Sequence, residues 1–181
     1  MPDHILLCHP ACTKPAADSL HVGSELSFSG GLILHYRIQA LPDRLRLPAA
    51  TTGGPADELW QHTCCEAFIA AGDGTAYREF NFSPSGQWAI YDFLSYRERA
   101  ADYRPATPPR IAMQALRDGF LLRAELPPDL LPAAISWHVG LSAVIESAHG
   151  DKSYWALAHA AAQPDFHRRE SFVLTLTQAT P

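Results

Sequence analysis

Alternating apolar and polar positions recur in short segments along the chain, and this period of two predicts β-strands rather than helices. Between residues 20 and 28 the apolar side chains are spaced by two or four positions: Leu20, Val22, Leu26 and Phe28. Residues 32–39 repeat the alternation after the turn Ser29-Gly30-Gly31. Two such segments joined by a glycine turn are typical of a β-hairpin with one buried face.

Eight further segments have the pattern of strands: residues 59–71, 77–82, 88–94, 110–116, 120–126, 137–145, 154–158 and 172–176. Two proline-rich connections interrupt them, at residues 41–57 and 95–109. Only residues 127–132 suggest a helical turn, because Pro128 suits a first helical position. We therefore predict an all-β, two-sheet antiparallel β-sandwich (jelly-roll-like) of about ten to eleven strands. A closed barrel is the alternative.

The composition narrows the function classes. Apolar residues make up 47% and charged residues 18% of the chain, which indicates a single domain over residues 1–181. The net charge is -5 and no basic stripe is visible, so we expect no nucleic-acid partner. No window reaches the roughly 18 apolar residues of a membrane helix, and the N-terminus lacks the pattern of a secretory signal. We expect a cytoplasmic protein without a membrane partner, and the oligomeric state stays open.

The four cysteines predict neither a disulfide framework nor a metal site. Cys64 and Cys65 are adjacent in a predicted strand, so their side chains point to opposite faces. Cys8 and Cys12 frame the string CHPAC, and no second pair follows at the short spacing of a zinc site. We expect reduced thiols, and we predict no metal and no cofactor.

Polar residues inside apolar strands are the more informative feature, since no catalytic sequence motif is present. Glu66 shares a strand face with Phe68, and Glu79 and Asn81 occupy the polar face of the following strand. A buried carboxylate costs free energy unless it is paired or hydrogen-bonded. Two interpretations stay open: a ligand site, or a structural arrangement in which Glu66 pairs with an arginine such as Arg78 or the face is solvated.

Two of the four tryptophans are candidates for contact with a flat ligand. Trp60 and Trp155 each lie near the start of a predicted strand, beside a loop, where an indole ring can stack on a sugar ring. The alternative is that both belong to the core, as we expect for Trp88 and Trp137.

The segments LWQHTCCEAFI (residues 59–69) and YREFNFSPSGQWA (residues 77–89) resemble the bacterial DOMON-like proteins, which are related to the family 9 carbohydrate-binding modules. The tail, with YWALAH (residues 154–159), PDFH (residues 164–167) and Phe172, is similar to the same group. The resemblance implies a β-sandwich with a ligand on its concave sheet or rim. In the sugar-binding relatives two tryptophans clamp a terminal sugar, while a glutamate and amide or arginine side chains bind its hydroxyl groups.

By this resemblance Trp60 and Glu66 fall where one such tryptophan and glutamate lie, and Trp155 is the candidate for the second tryptophan. The predicted function is a binding module for a sugar or sugar-like small molecule, without catalysis. The predicted ligand-binding residues are Trp60, Glu66, Arg78, Glu79, Asn81, Trp155 and His159.

Two other functions stay open. Some DOMON relatives bind haem through methionine and histidine, but this chain has only Met1 and Met113, so histidine pairs would have to serve. An enzyme acting on a small molecule would use Glu66 or Glu79 as general acid or base. The calcium site of related modules has no matching acidic cluster in this sequence.

Overall fold

Strands joined by loops and single turns of 3-10 helix make up the fold of residues 2–101 and 103–178, which the computed structural model describes. The all-β prediction is therefore confirmed. Within these residues no helix is long and apolar enough to cross a membrane. The strands are β1 (Asp3–Cys8), β2 (Ser19–Leu26), β3 (Leu32–Gln39), β4 (Gly54–Pro55), β5 (Cys64–Ala71), β6 (Tyr77–Phe82), β7 (Gln87–Ser95), β8 (Glu98–Arg99), β9 (Arg110–Leu116), β10 (Gly119–Leu126), β11 (Ser136–Glu146), β12 (Lys152–Ala156) and β13 (Leu174–Thr177).

The strands form one curled sheet. Eleven of them follow the order β4-β7-β6-β5-β11-β12-β1-β2-β3-β10-β9, while β8 and β13 pair beside this path with β7 and β11. The pairings are antiparallel apart from the short parallel pairing of β4 with β7, which makes the sheet mixed.

The structure does not show the two separate sheets that we predicted, because strand β1 connects the two halves. Its residues Asp3 to Leu6 pair with β2, whereas Leu7 and Cys8 pair with β12. One strand thus carries the hydrogen bonding from one half of the sheet to the other, as strands do at the corners of folded sheets. The apolar pattern did not predict β1, because Leu6 is its one buried side chain.

The two halves of the sheet face each other around one hydrophobic core. Tyr36 and Leu122 come from one half, and Ile69 and Phe80 come from the other; all four are fully buried. Across this core the Tyr36 hydroxyl donates a 2.7 Å hydrogen bond to the backbone carbonyl of Glu66. Strand β3 is therefore hydrogen-bonded to β5 at Glu66, whose carboxyl group points away from the core.

The outer face of β5 is covered by residues 157–173, which we call the covering segment. Its Phe172 ring lies 5.7 Å from Phe68 and 5.6 Å from Tyr77, between ring centroids. Gly140 of the neighbouring strand β11 leaves room for this ring, because a Cβ atom there would lie 2.8 Å from it. The covering segment can therefore lie directly on the sheet.

We expect Gly140→Ala to lower the free energy of unfolding by about 2 kcal/mol, because the new methyl group displaces Phe172. In a Phe172→Ala background the same change should cost nothing or stabilise slightly, since alanine suits a strand better than glycine. Urea denaturation of the two single variants and the double variant measures this coupling. Additive effects would show that the ring does not rest on Gly140.

Candidate functional site

A cleft of about 1030 Å³ opens on the face of β5 that is turned away from the core. Strands form its floor, with side chains from β5, β6, β7, β11 and β12: Glu66, Phe68, Glu79, Tyr91, Phe93, Val144 and Tyr154. The loop before β5 forms one wall with Asp57, Glu58 and Trp60. The covering segment and the turn into β8 form the other wall, with residues 163–167, Arg97 and Arg99.

Glu66 lies at the cleft floor, and no cationic side chain of the described residues forms an ion pair with it. The residue is 3% exposed, and its carboxylate accepts a 3.3 Å hydrogen bond from the Ser142 hydroxyl. Burial raises the pKa of Glu66 well above its ordinary value, and the neighbouring Glu79 carboxyl raises it further. A proton on this carboxyl gives the floor a hydrogen-bond donor as well as acceptors.

Glu79 lies on the adjacent strand, and its partners differ from those of Glu66. Asn81 donates a 2.6 Å hydrogen bond to one carboxylate oxygen of Glu79, and Arg97 and Arg99 lie in the same cleft. Burial raises the pKa of Glu79, although Asn81 and the two arginines act in the opposite direction. Among the described residues, the two glutamates are thus a buried carboxyl pair in which arginines act on Glu79 and not on Glu66.

His167 joins the covering segment to this pair. Its Nδ1 atom shares a 2.8 Å hydrogen bond with the Tyr77 hydroxyl, and its Nε2 atom is 3.8 Å from a Glu79 oxygen. Burial, together with the nearby Arg97, lowers the pKa of His167 to about 4. The imidazole is therefore neutral at pH 7, and its approach to Glu79 is a polar contact rather than an ion pair.

Aromatic side chains line the open part of the cleft. Trp60 is 50% exposed in the 3-10 turn Leu59–Gln61. The Tyr91 hydroxyl donates a 2.7 Å hydrogen bond to Asp57, and the guanidinium of Arg99 lies 4.1 Å above the Tyr91 ring. The half-exposed Trp60 ring is therefore a flat apolar face available to a ligand, with polar groups of the cleft nearby.

Asp165 holds the wall formed by the covering segment. Its carboxylate accepts hydrogen bonds from Tyr96 at 2.6 Å, Arg97 at 3.1 Å and Arg168 at 3.2 Å. Burial alone would raise the pKa of Asp165, but the hydrogen bonds from Tyr96, Arg97 and the His167 amide, with the charge of Arg97, together lower it. An ionised Asp165 thus ties the β7–β8 turn to the covering segment.

Comparison with known proteins finds a likeness in fold to a solved structure. No family model and no curated protein matches the chain. A crystal structure of a proposed carbohydrate-binding protein from Bacteroides uniformis has a TM-score of 0.63 to this chain at 13% sequence identity. The match covers 98% of this chain and 86% of the other. At this identity the likeness shows a shared fold, and the resemblance to the DOMON-like proteins stays a prediction.

The structure brings three of the predicted site residues to one cleft: Trp60, Glu66 and Glu79. Asn81 is fully buried beside them and contacts the cleft through its hydrogen bond to Glu79. Trp60 was predicted to begin the strand of Glu66, but it lies in a turn before β5. The reason is local: the His62 amide bonds the Leu59 carbonyl at 3.1 Å and closes a turn there.

The structure places the other three predicted residues away from the cleft lining. Trp155 faces the core, where it is 5% exposed, because strand alternation turns Tyr154 toward the cleft instead. Arg78 pairs with Asp92 at 2.6 Å on the core-facing side of β6, so it does not neutralise Glu66. His159 shares a 2.8 Å hydrogen bond with the Leu7 carbonyl. A clamp made of Trp60 and Trp155 is therefore not present.

Sequence reasoning missed the arginines and the histidine of the cleft walls. Arg97, Arg99 and His167 lie in loops or short strands, where no periodicity indicates which way a side chain points. Tyr154 could have been found, since it alternates with a tryptophan of the same strand. Its register opposite Val144, which also lines the cleft, confirms its orientation.

The cleft offers few ligands for a metal or haem. Within the described part of the chain, no group of three or more His, Cys, Asp or Glu side chains is arranged to hold a metal ion. His167 is the one histidine in the cleft lining, and Met113 lies on the edge strand β9. The lining therefore does not supply a pair of axial haem ligands.

The raised pKa of Glu66 predicts a pH-dependent stability. The folded protein keeps a proton that the unfolded chain releases above pH 4.5, so the buried carboxyl costs free energy as the pH rises above that value. We compare the free energy of unfolding of Glu66→Gln with that of the parent at each pH. The variant's gain over the parent should be larger at pH 8 than at pH 5, by at least about 1 kcal/mol.

Urea denaturation of both proteins at the two pH values measures this difference. His167 adds stability as the pH rises from about 4 to 6.5, but this contribution is common to both proteins and cancels. Glu58→Gln, an exposed change in the same cleft, is the control and should shift the difference by less than about 0.5 kcal/mol. An equal effect of Glu66→Gln at both pH values would contradict the assigned protonation.

Proposed function

We propose that this protein binds a carbohydrate in the cleft between Trp60 and the covering segment. The observation that carries the proposal is the combination of an exposed indole at the cleft mouth with a buried carboxyl pair, Glu66 and Glu79, at its floor. Sugars have apolar ring faces and polar hydroxyl edges, so their sites combine aromatic planes with oriented donors and acceptors.

The aromatic part of the cleft suits a ring that is flat and largely uncharged. Trp60 is half exposed in the cleft wall, and Tyr91 and Tyr154 lie on the floor, where the Arg99 guanidinium covers one face of the Tyr91 ring. An exposed tryptophan stabilises neither the main core nor the cluster under the covering segment, because it belongs to neither. Its position is therefore better explained by a ligand than by folding.

The polar part of the cleft suits hydroxyl groups. Glu66 and Glu79 present carboxyl groups, and Arg97 and Arg99 present donors. A hydroxyl group both donates and accepts, so it can bond with either kind of partner. The volume of about 1030 Å³ is at the upper end for small-ligand sites, which accommodates a mono- or disaccharide. The fold shared with a proposed carbohydrate-binding protein supports the same function.

We expect Trp60→Ala to weaken carbohydrate binding about tenfold, because the ring face that the sugar covers is lost. A glycan array followed by calorimetric titration of the sugars that bind measures this. Phe28→Ala removes a fully exposed aromatic ring from the β2–β3 turn and is the matched control, which should bind as the parent does. The proposal fails if no mono- or disaccharide binds, or if Trp60→Ala retains the parent affinity.

A second candidate is general acid–base catalysis on the same ligand. The observation that favours it is the carboxyl pair itself, since two buried carboxyls with raised pKa values in an open cleft are typical of acid–base sites. This function predicts hydrolysis of aryl glycosides that is lost in both Glu66→Gln and Glu79→Gln. Turnover that survives in both variants would exclude it.

A further inference from the structure

A second cleft of about 470 Å³ adjoins the first. The loop after β1 and the start of β12 form it, and Tyr154, Gln163 and Pro164 line both clefts. The two hollows are therefore neighbouring parts of one groove, and a ligand larger than one sugar ring can occupy both.

The second cleft is the basic part of this groove. Lys14 and Lys152 line it, and they are the only two lysines in the sequence. Asp151 lines it as well, yet among the described residues neither lysine ammonium lies within ion-pair distance of a carboxylate. Two ammonium groups without a counter-ion favour an anionic partner.

The main cleft has the opposite character. Five acidic side chains line it, against two guanidinium groups: Arg97, which bonds Asp165, and Arg99, which lies over the Tyr91 ring. An anionic group placed there would meet carboxylates, whereas in the second cleft it would meet the lysines. The charge distribution therefore orients a ligand that carries one anionic end.

We propose that the ligand is a sugar bearing an anionic group, with its ring in the main cleft and its anionic group between Lys14 and Lys152. This inference rests on the proposed function, because it extends the same ligand from one cleft into the next. Phosphate, sulfate and carboxylate share the chemistry that two ammonium groups recognise, and a phosphate group offers the highest charge.

The test uses matched ligands. Calorimetric titration compares glucose, galactose and N-acetylglucosamine with the 6-phosphate of each, and adds glucuronate and galacturonate to distinguish phosphate from carboxylate. We expect the anionic member of a pair to bind about fivefold more tightly than its neutral parent at low salt. This difference should shrink as the salt concentration rises, because salt screens exposed charges.

The variant Lys14→Gln/Lys152→Gln should abolish the preference while the neutral sugar binds as before. Arg110→Gln/Arg117→Gln removes the same charge from β9 and its turn and is the control, which should keep the preference. Trp60→Ala should weaken both members of a pair. Equal affinity for neutral and anionic ligands, or a preference that survives loss of the lysines, overturns this inference alone. If none of the ligands binds the parent protein, the proposed function fails together with it.

Discussion

Burial of a carboxyl group without a cation is the constraint on which the rest of the site depends. Glu66 lies in a strand that is buried along almost its whole length, and Ser142 is the one side chain among the described residues that hydrogen-bonds the Glu66 carboxyl group. Such a group is expensive to bury and is more easily kept protonated than ionised. An apolar residue at this position would serve folding better, which supports the proposed role of this carboxyl in ligand binding.

The architecture around Glu66 follows from strand alternation on two faces. One face of β5 packs into the main core, and the other supports the smaller cluster of Phe68, Tyr77 and Phe172 beneath the covering segment. That cluster holds the covering segment above the sheet, and the cleft is the space left between the segment and the loop of Trp60. Asp165 and His167 fix this wall through polar contacts, so the cleft is largely formed before a ligand enters.

Much of the fold could be predicted from the sequence, because alternation is local. The hairpin of β2 and β3, the hairpin of β9 and β10 and the long strand β11 all have clear patterns. The continuity of the sheet through β1 could not be predicted, since it depends on pairing partners far away in the chain. The mixed pattern of β1 also gives it no clear buried face.

The site could also be predicted in part, because the pattern of polar and apolar residues along a strand is local. Glu66 and Glu79 were found because polar residues in apolar strands are conspicuous, and Trp60 because it lies beside a loop at the start of the predicted strand of Glu66. Trp155 was assigned to the ligand although alternation turns it into the core, and Arg78 was treated as a neighbour of Glu66 although their strands place them on opposite faces. The cleft residues Arg97, Arg99 and His167 could be located only from the structure.

The claim that the cleft carboxyls contact a carbohydrate is tested most directly by carbon-13 NMR of protein labelled at the glutamate carboxyl groups. Saturation with a bound sugar should shift the resonances of Glu66 and Glu79 while that of the exposed Glu170 stays in place. If the sugar saturates the protein and both cleft resonances remain unmoved, the ligand binds elsewhere and the account is contradicted.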